Sequence, residues 1–435
     1  MMLCFLFVDN SYLCSPNDKM IIMMQMKRIL LAWCALCMVG LCFSQTMDVV
    51  SLSKSISFSQ RDFVDTIKVQ VEDGAVIVPV EIAGMKKRFL FDTGAAMGAW
   101  LGEEEDWMQR VDGDGMDIAD SNENVHKKTV YRFPPIRLGQ LSIENYPMIA
   151  EDAMNDFLCG QFDGFLGFNL VGSGLSFKLD TKDSLLILTD RKGFFAEEEK
   201  GMPMVKYQLV RKSRPLVMVK MPFGWVEMLF DTGAMNHWLD LPEHLLERWG
   251  EHRPKMAKEA ENLTCSVDTM VGTHIGLYGF KGDTLLARTL HFPEVQVGGL
   301  TLKDLYACTN SRNLCLGSAL LKRSSVIIDA PRHRFVFLPH QGESTIVVEN
   351  PNVGSLSFVP SEPGDTLGAL RAVVRKGSPA YEQGIRTGDY LLEVDGTPIP
   401  DICTYRQLGK KDDELPMKFR SPDGKEKTAC LTRNQ

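Results

Sequence analysis

The chain has 435 residues, 44% of them hydrophobic and 24% charged, with 48 basic and 56 acidic side chains for a formal net charge of −8. At ~100–200 residues per domain this leaves room for about three globular domains, and it excludes a collagen, a coiled coil or a wholly disordered chain. There is no basic field, so nucleic acid is not expected as a partner.

From Met26 the sequence runs Met-Lys-Arg, then an apolar stretch of 13 residues from Ile29 to Leu41, then Cys42-Phe43-Ser44 before Gln45. A basic start, a short apolar core and small residues at the −3 and −1 positions predict an export signal over residues 1–44, with translation starting at Met26. The expected location is therefore periplasmic or secreted. A lipid anchor on Cys42 is the competing reading, weakened by the bulky Leu41 in front of it. Past the signal six cysteines remain: Cys159, Cys265, Cys308, Cys315, Cys403 and Cys430. An oxidising compartment permits pairing; the sequence-local choices are Cys308 with Cys315 and Cys403 with Cys430, or no pairing at all.

An internal repeat organises the chain beyond the signal. Val78 to Leu101 is echoed by Val217 to Leu241, and each apolar strand ends alike, in Phe91-Asp92-Thr93-Gly94-Ala95 and Phe230-Asp231-Thr232-Gly233-Ala234. Downstream, Phe133-Pro134 with Leu138-Gly139 answers Phe292-Pro293 with Val297-Gly298, and Phe165-Leu166-Gly167 answers Cys315-Leu316-Gly317. Three landmarks in one order predict two β-rich units, 45–204 and 205–343. Asp92 and Phe133 are 41 residues apart but Asp231 and Phe292 are 61; the surplus predicts a longer excursion over Glu259 to Arg288. Helical pattern is scarce in the two units, with its best candidates at Leu241–Trp249 and around Gly102–Val111.

One Asp-Thr-Gly is a weak signal; two in register, each ending an apolar strand, are not. With the apolar-apolar-Gly motifs at Leu166-Gly167 and Leu316-Gly317, residues ~75 to 340 resemble the clan of aspartic proteases that includes retropepsins and two-lobed pepsins. The resemblance implies a mainly β fold, with two retropepsin-like acid-protease β-barrel lobes in one chain. It makes Asp92 and Asp231 the catalytic pair, with no metal, no cofactor and no obligate dimer to complete the site. Two carboxylates sharing a proton supply both a base for water and an acid for the departing groups, because like charges ~3 Å apart cannot both ionise. The resemblance further gives Thr93 and Thr232 the role of bracing the two loops, and Leu166, Gly167, Leu316 and Gly317 that of supporting them from behind. Gly94 and Gly233 permit the sharp turn. Ala95 and Ala234, where pepsins carry a hydroxyl, predict a pair that keeps its proton to higher pH. A flap is expected at Met116 to Tyr131, turning near Ser121-Asn122-Glu123-Asn124.

Other chemistries fail on spacing. His244, Glu251 and His252 do not make a zinc helix, Cys34 and Cys37 lie in the export signal, and Ser173 lacks a nucleophile elbow. Asp112, Asp114, Asp117 and Asp120 read as a solvated turn, and His237 as a packing or rim residue.

Beyond His340, Gly342, Asn350, Pro351 and Gly354 predict a linker at 344–351. The run Gly377-Ser378-Pro379-Ala380 followed by Gly388-Asp389-Tyr390-Leu391-Leu392-Glu393-Val394-Asp395-Gly396 resembles the PDZ domains of exported bacterial proteases. Residues 352–435 are therefore expected to bind an extended peptide or C-terminus by adding it to a sheet edge, with Leu367, Gly368, Ala369 and Leu370 as the candidate groove loop. Two functions stay open: an aspartic endopeptidase acting on polypeptide, and a non-catalytic periplasmic peptide-binding or scaffolding protein working through the PDZ module.

Overall fold

Alternating burial makes most of the strands. In Arg214–Met221 the side chains of Pro215, Val217, Val219 and Met221 turn inward while Met218 and Lys220 face out, as a pleated strand with one wet face requires. Gly224–Phe230 pairs antiparallel with it. In the first repeat Ala75–Ile82 and Met85–Asp92 form the matching hairpin. Its two-residue turn has Ala83 at φ 49° and Gly84 at φ 76°, the left-handed pair that matches the twist of a tight hairpin.

The computed structural model describes residues 48–210, 213–271, 275–280, 284–348, 356–361, 365–408 and 414–432. The expected export segment and residues 349–351 of the expected linker lie outside them. The fold is mainly β, with curled sheets followed by a small C-terminal β module. The Asp92 strand, Met85–Asp92, belongs to one large sheet and the Asp231 strand, Gly224–Phe230, to a second. The second sheet also takes strands from the first repeat: Ser176–Asp180 pairs antiparallel with Ser324–Asp329, bringing Phe177 opposite Ile328. Closing segments of both repeats thus share one sheet, and Phe91, Phe177, Phe230, Phe335 and Phe337 pack in one fully buried core.

Several expectations are corrected. Gly102–Val111 forms no helix; it is loop with a two-residue strand at Gln109–Arg110. Four consecutive carboxylates, Glu103 to Asp106, put like charges on every face of a turn and leave no apolar stripe to bury. The helix after the second Asp-Thr-Gly does form, at Glu243–His252, with Leu246 and Trp249 buried. The excursion in the second repeat is no plain loop: a helix, Pro254–Asn262, leads into a ribbon of Thr264–Val271 against Thr284–Val297. Thr345–Val347, inside the expected linker, is a strand parallel to Leu300–Cys308.

Neither local disulfide forms. Cys159 is bonded to Cys403, 244 residues away, while Cys265, Cys308, Cys315 and Cys430 form no disulfide. Cys159 follows a short helix, Asn155–Leu158, and Cys403 lies on the helix Ile402–Gln407 of the C-terminal module, so the bond ties that module to the first repeat. Arg406 reinforces the junction by donating to the Phe157 carbonyl. A second contact packs Ala287 of the excursion against Val359 and Val373 of the module.

Candidate functional site

The two Asp-Thr-Gly loops meet. Each follows a strand that lies parallel to its own apolar-apolar-Gly strand: Leu166 and Gly167 stand opposite Phe91 and Asp92, and Leu316 stands opposite Phe230. The supporting residues are apolar and buried, with Leu166, Cys315 and Leu316 at 1% exposure or less, so they fix the carboxylates from behind without competing for their hydrogen bonds. Gly167 is held by contact: a Cβ there would lie 2.5 Å from the Met97 carbonyl carbon.

The threonines cross. Thr93 Oγ1 donates to the Phe230 carbonyl at 2.5 Å and accepts from the Thr232 amide at 3.0 Å; Thr232 Oγ1 donates to the Phe91 carbonyl at 2.5 Å and accepts from the Thr93 amide at 3.0 Å. Both side chains are fully buried. Four bonds related by a local twofold thus link loops 139 residues apart. The glycines then pack on the opposite carboxylates. A Cβ on Gly94 would fall 2.3–2.4 Å from the Asp231 carboxyl atoms, and one on Gly233 would fall 2.5–2.6 Å from those of Asp92. Nothing larger than hydrogen fits at either position.

Each aspartate accepts two backbone amides on one oxygen. Asp92 Oδ1 takes Gly94 N at 2.8 Å and Ala95 N at 3.0 Å; Asp231 Oδ1 takes Gly233 N at 2.9 Å and Ala234 N at 3.2 Å. The two carboxyls also interact electrostatically with each other. Burial pushes both above the ordinary carboxylate range, Asp92 well above, and the charge of Asp231 adds to the rise at Asp92. Removal from water penalises the ion more than the amides favour it. The arrangement can hold one proton between two carboxyls at pH values where exposed aspartates are ionised, and it titrates as a unit.

Sequence reasoning missed what lies behind the loops. Behind Asp92, the buried Tyr146 hydroxyl donates to Asn169 Oδ1 at 2.8 Å and accepts from the Gly167 amide at 3.1 Å. Near Asp231, His237 Nδ1 meets Asp240 at 2.8 Å. Tyr146 and Asn169 carry no motif; His237 and Asp240 sit close after the second Asp-Thr-Gly, and their interval was the one signal that could have found them.

The expected hairpin forms from Met116–Ala119 and Val125–Lys128. Asp120, read from sequence as solvated, organises its turn by accepting the amides of Asn122 and Asn124, both at 2.9 Å. A smaller hairpin of the second repeat, Ile275–Gly276 with Gly279–Phe280, meets it: Tyr278 stacks on His126 at 4.0 Å and donates to the Ile118 carbonyl at 3.0 Å. Met116, Ile118, Leu277 and Met235 line the same apolar cluster, and Met235 directly follows Ala234. The hairpins and the second aspartate loop therefore pack against one apolar cluster.

In the C-terminal module Leu356–Pro360 is an edge strand paired with Leu370–Val374, and the helix Ile402–Gln407 lies beside it, with Phe358 and Tyr405 edge to face at 4.8 Å. A peptide added to that edge would run between Leu356–Pro360 and the helix. Leu367, Gly368 and Ala369 instead lie in the connection between the two strands, and Leu370 is already strand. Gly368 packs against Tyr390, and the Leu367 carbonyl accepts from Arg420.

Comparison with curated proteins finds no match. The sequence model of the PDZ domain matches residues 371–420, and the C-terminal module, with its edge strand and flanking helix, is a PDZ domain.

Proposed function

We propose that the chain is an exported aspartic endopeptidase in which Asp92 and Asp231 activate water against a peptide bond, and the PDZ domain recruits or gates the polypeptide. The observation that carries this reading is the crossed threonine and glycine geometry, which packs each Asp-Thr-Gly glycine against the opposite carboxyl and so sets the two aspartates side by side. An inert scaffold has no use for two carboxyls forced together against their repulsion.

In the reaction the ionised carboxyl takes a proton from water as its oxygen attacks the scissile carbonyl carbon, and the protonated carboxyl gives its proton to the carbonyl oxygen. The resulting gem-diol collapses when the protonated carboxyl passes its proton to the amide nitrogen and the other takes a proton from one gem-diol hydroxyl, so that the C–N bond breaks, the carbonyl reforms and the pair is left with one proton. The backbone amides of Gly94, Ala95, Gly233 and Ala234 hold each carboxyl in orientation throughout, so little reorganisation is needed.

The PDZ domain supports a peptide-binding role in its own right, and a peptide-binding or scaffolding protein is the second reading. The discriminating experiment incubates an unfolded protein and a peptide library with the chain and with Asp92→Asn. Cleavage by the parent and none by the variant is expected; silence of both would leave peptide binding by the PDZ domain as the function.

A further inference from the structure

The two halves of the site differ beside the supporting strands. Phe165 stands opposite Ala99, and its counterpart Cys315 stands opposite Asp240. Asp92 precedes Ala99 by seven residues, whereas Asp231 precedes Asp240 by nine. The two extra residues widen a turn in which Asn236 has φ 64° and its amide bonds Ser318 Oγ at 3.1 Å. The His237 carbonyl accepts from Ala319 N at 2.9 Å, and a Cβ on Gly317 would come within 2.4 Å of that carbonyl. The turn is thus fastened to the supporting motif, and it delivers His237 to a carboxylate that has no equivalent in the first repeat.

Asp240 is 5% exposed, and a carboxylate so buried requires partners. His237 Nδ1 lies 2.8 and 3.0 Å from its two oxygens, and Cys315 Sγ lies 3.5 Å from Oδ2. We propose that His237 and Asp240 are a positioning pair for the second half of the dyad, in which the His237 cation cancels the Asp240 charge and leaves Asp231 free to ionise. This rests on the reading of Asp92 and Asp231 as the working pair.

The charges around the pair agree. Asp240 pulls His237 above the usual imidazole range, with Asp231 adding to the pull, while Asp240 opposes ionisation of Asp231. Among the described groups facing the pair, Cys315 is pushed well above the ordinary thiol range by burial and Cys308 up to about 11, so both stay neutral near pH 7. Lys322 lies one residue away, on Asn236 Oδ1, and is shared with Asp73. Behind Asp92 the buried titratable neighbour is Tyr146, whose phenol burial pushes above its ordinary range. Loss of His237 therefore makes the potential at Asp231 more negative, and loss of the Asp240 charge makes it more positive; the two changes act in opposite directions.

The test follows the carboxyl carbons of the full chain, labelled with 13C-aspartate, through a pH titration in the parent, His237→Gln, Asp240→Asn and the double variant, with the dyad signals assigned by Asp92→Asn and Asp231→Asn. The lower apparent dyad midpoint should rise in His237→Gln and fall in Asp240→Asn, each by on the order of one pH unit; the double variant should lie between. The acid limb of the peptide-hydrolysis profile should move in the same directions. Equal titrations in all four chains, or shifts of the same sign in both single variants, would overturn the inference; if Asp240→Asn fails to fold, His237→Gln alone must show the rise. A parent that cleaves nothing but titrates as described would sink the protease reading and leave the pair standing.

Discussion

Replacing Thr93 with valine keeps the side-chain volume and removes one hydroxyl. That hydroxyl donates to the Phe230 carbonyl and accepts from the Thr232 amide in a setting with no exposure. Valine leaves both partners orphaned, and each unsatisfied buried group costs ~1–3 kcal/mol, so Thr93→Val should destabilise by ~2–6 kcal/mol. Against a typical stability of ~5–15 kcal/mol that is a large fraction. Urea unfolding followed by tryptophan fluorescence measures the loss through the midpoint at constant slope. Thr93→Ser keeps the hydroxyl and should retain most of the stability, which separates the hydrogen bonds from the lost methyl. The reasoning is refuted if Thr93→Val loses less than ~1 kcal/mol, or if serine and valine are equally damaging.

Other perturbations have equally definite outcomes. In the fold both dyad carboxyls hold their protons above the ordinary value of 3.8, so the native chain binds more protons than the unfolded one in that window and stability from this source falls as pH rises through it; Asp92→Asn should flatten the decline and unfold at a higher temperature than the parent at pH 7, and a lower one would contradict the shift. Hydrolysis, for the same reason and because Ala95 and Ala234 offer no side-chain donor, should peak above pH ~4, the unperturbed carboxyl range. Gly94→Ala would press a methyl into the Asp231 carboxyl at 2.3–2.4 Å and should abolish cleavage, with far-UV circular dichroism checking that the sheets persist; near-parental turnover would mean the loops do not meet as described. Cys403→Ser opens a loop of 244 residues, for which chain entropy sets a loss of at most ~5 kcal/mol; limited proteolysis should then release the PDZ domain sooner than in the parent, and unchanged digestion would show that the Ala287 contact and Arg406 suffice.

The expected helix at Leu241–Trp249 and the hairpin at Met116–Tyr131 were readable because each is specified locally, by an apolar stripe at helical spacing or by two alternating runs around a polar turn. Gly102–Val111 forms no helix because its four adjacent carboxylates, Glu103 to Asp106, leave no continuous apolar stripe. The candidate pair was readable for another reason: duplication wrote the same three residues twice, at the same place on the same strand.

What the sequence determined by itself is therefore the repeated motif, the β-rich class and the PDZ-like string, all of which depend on residues close together in the chain. Tertiary structure alone decided the rest. The Cys159–Cys403 bond spans 244 residues, and no spacing rule reaches that far. Leu356–Pro360 stands at an edge of the PDZ sheet, open to an added strand, only because of how the strands pair. The His237 and Asp240 pair matters only because strand register sets Asp240 opposite Cys315, where the first repeat has Ala99 opposite Phe165. Contacts between distant segments are fixed by burial and register across the whole fold, and a one-dimensional pattern carries neither.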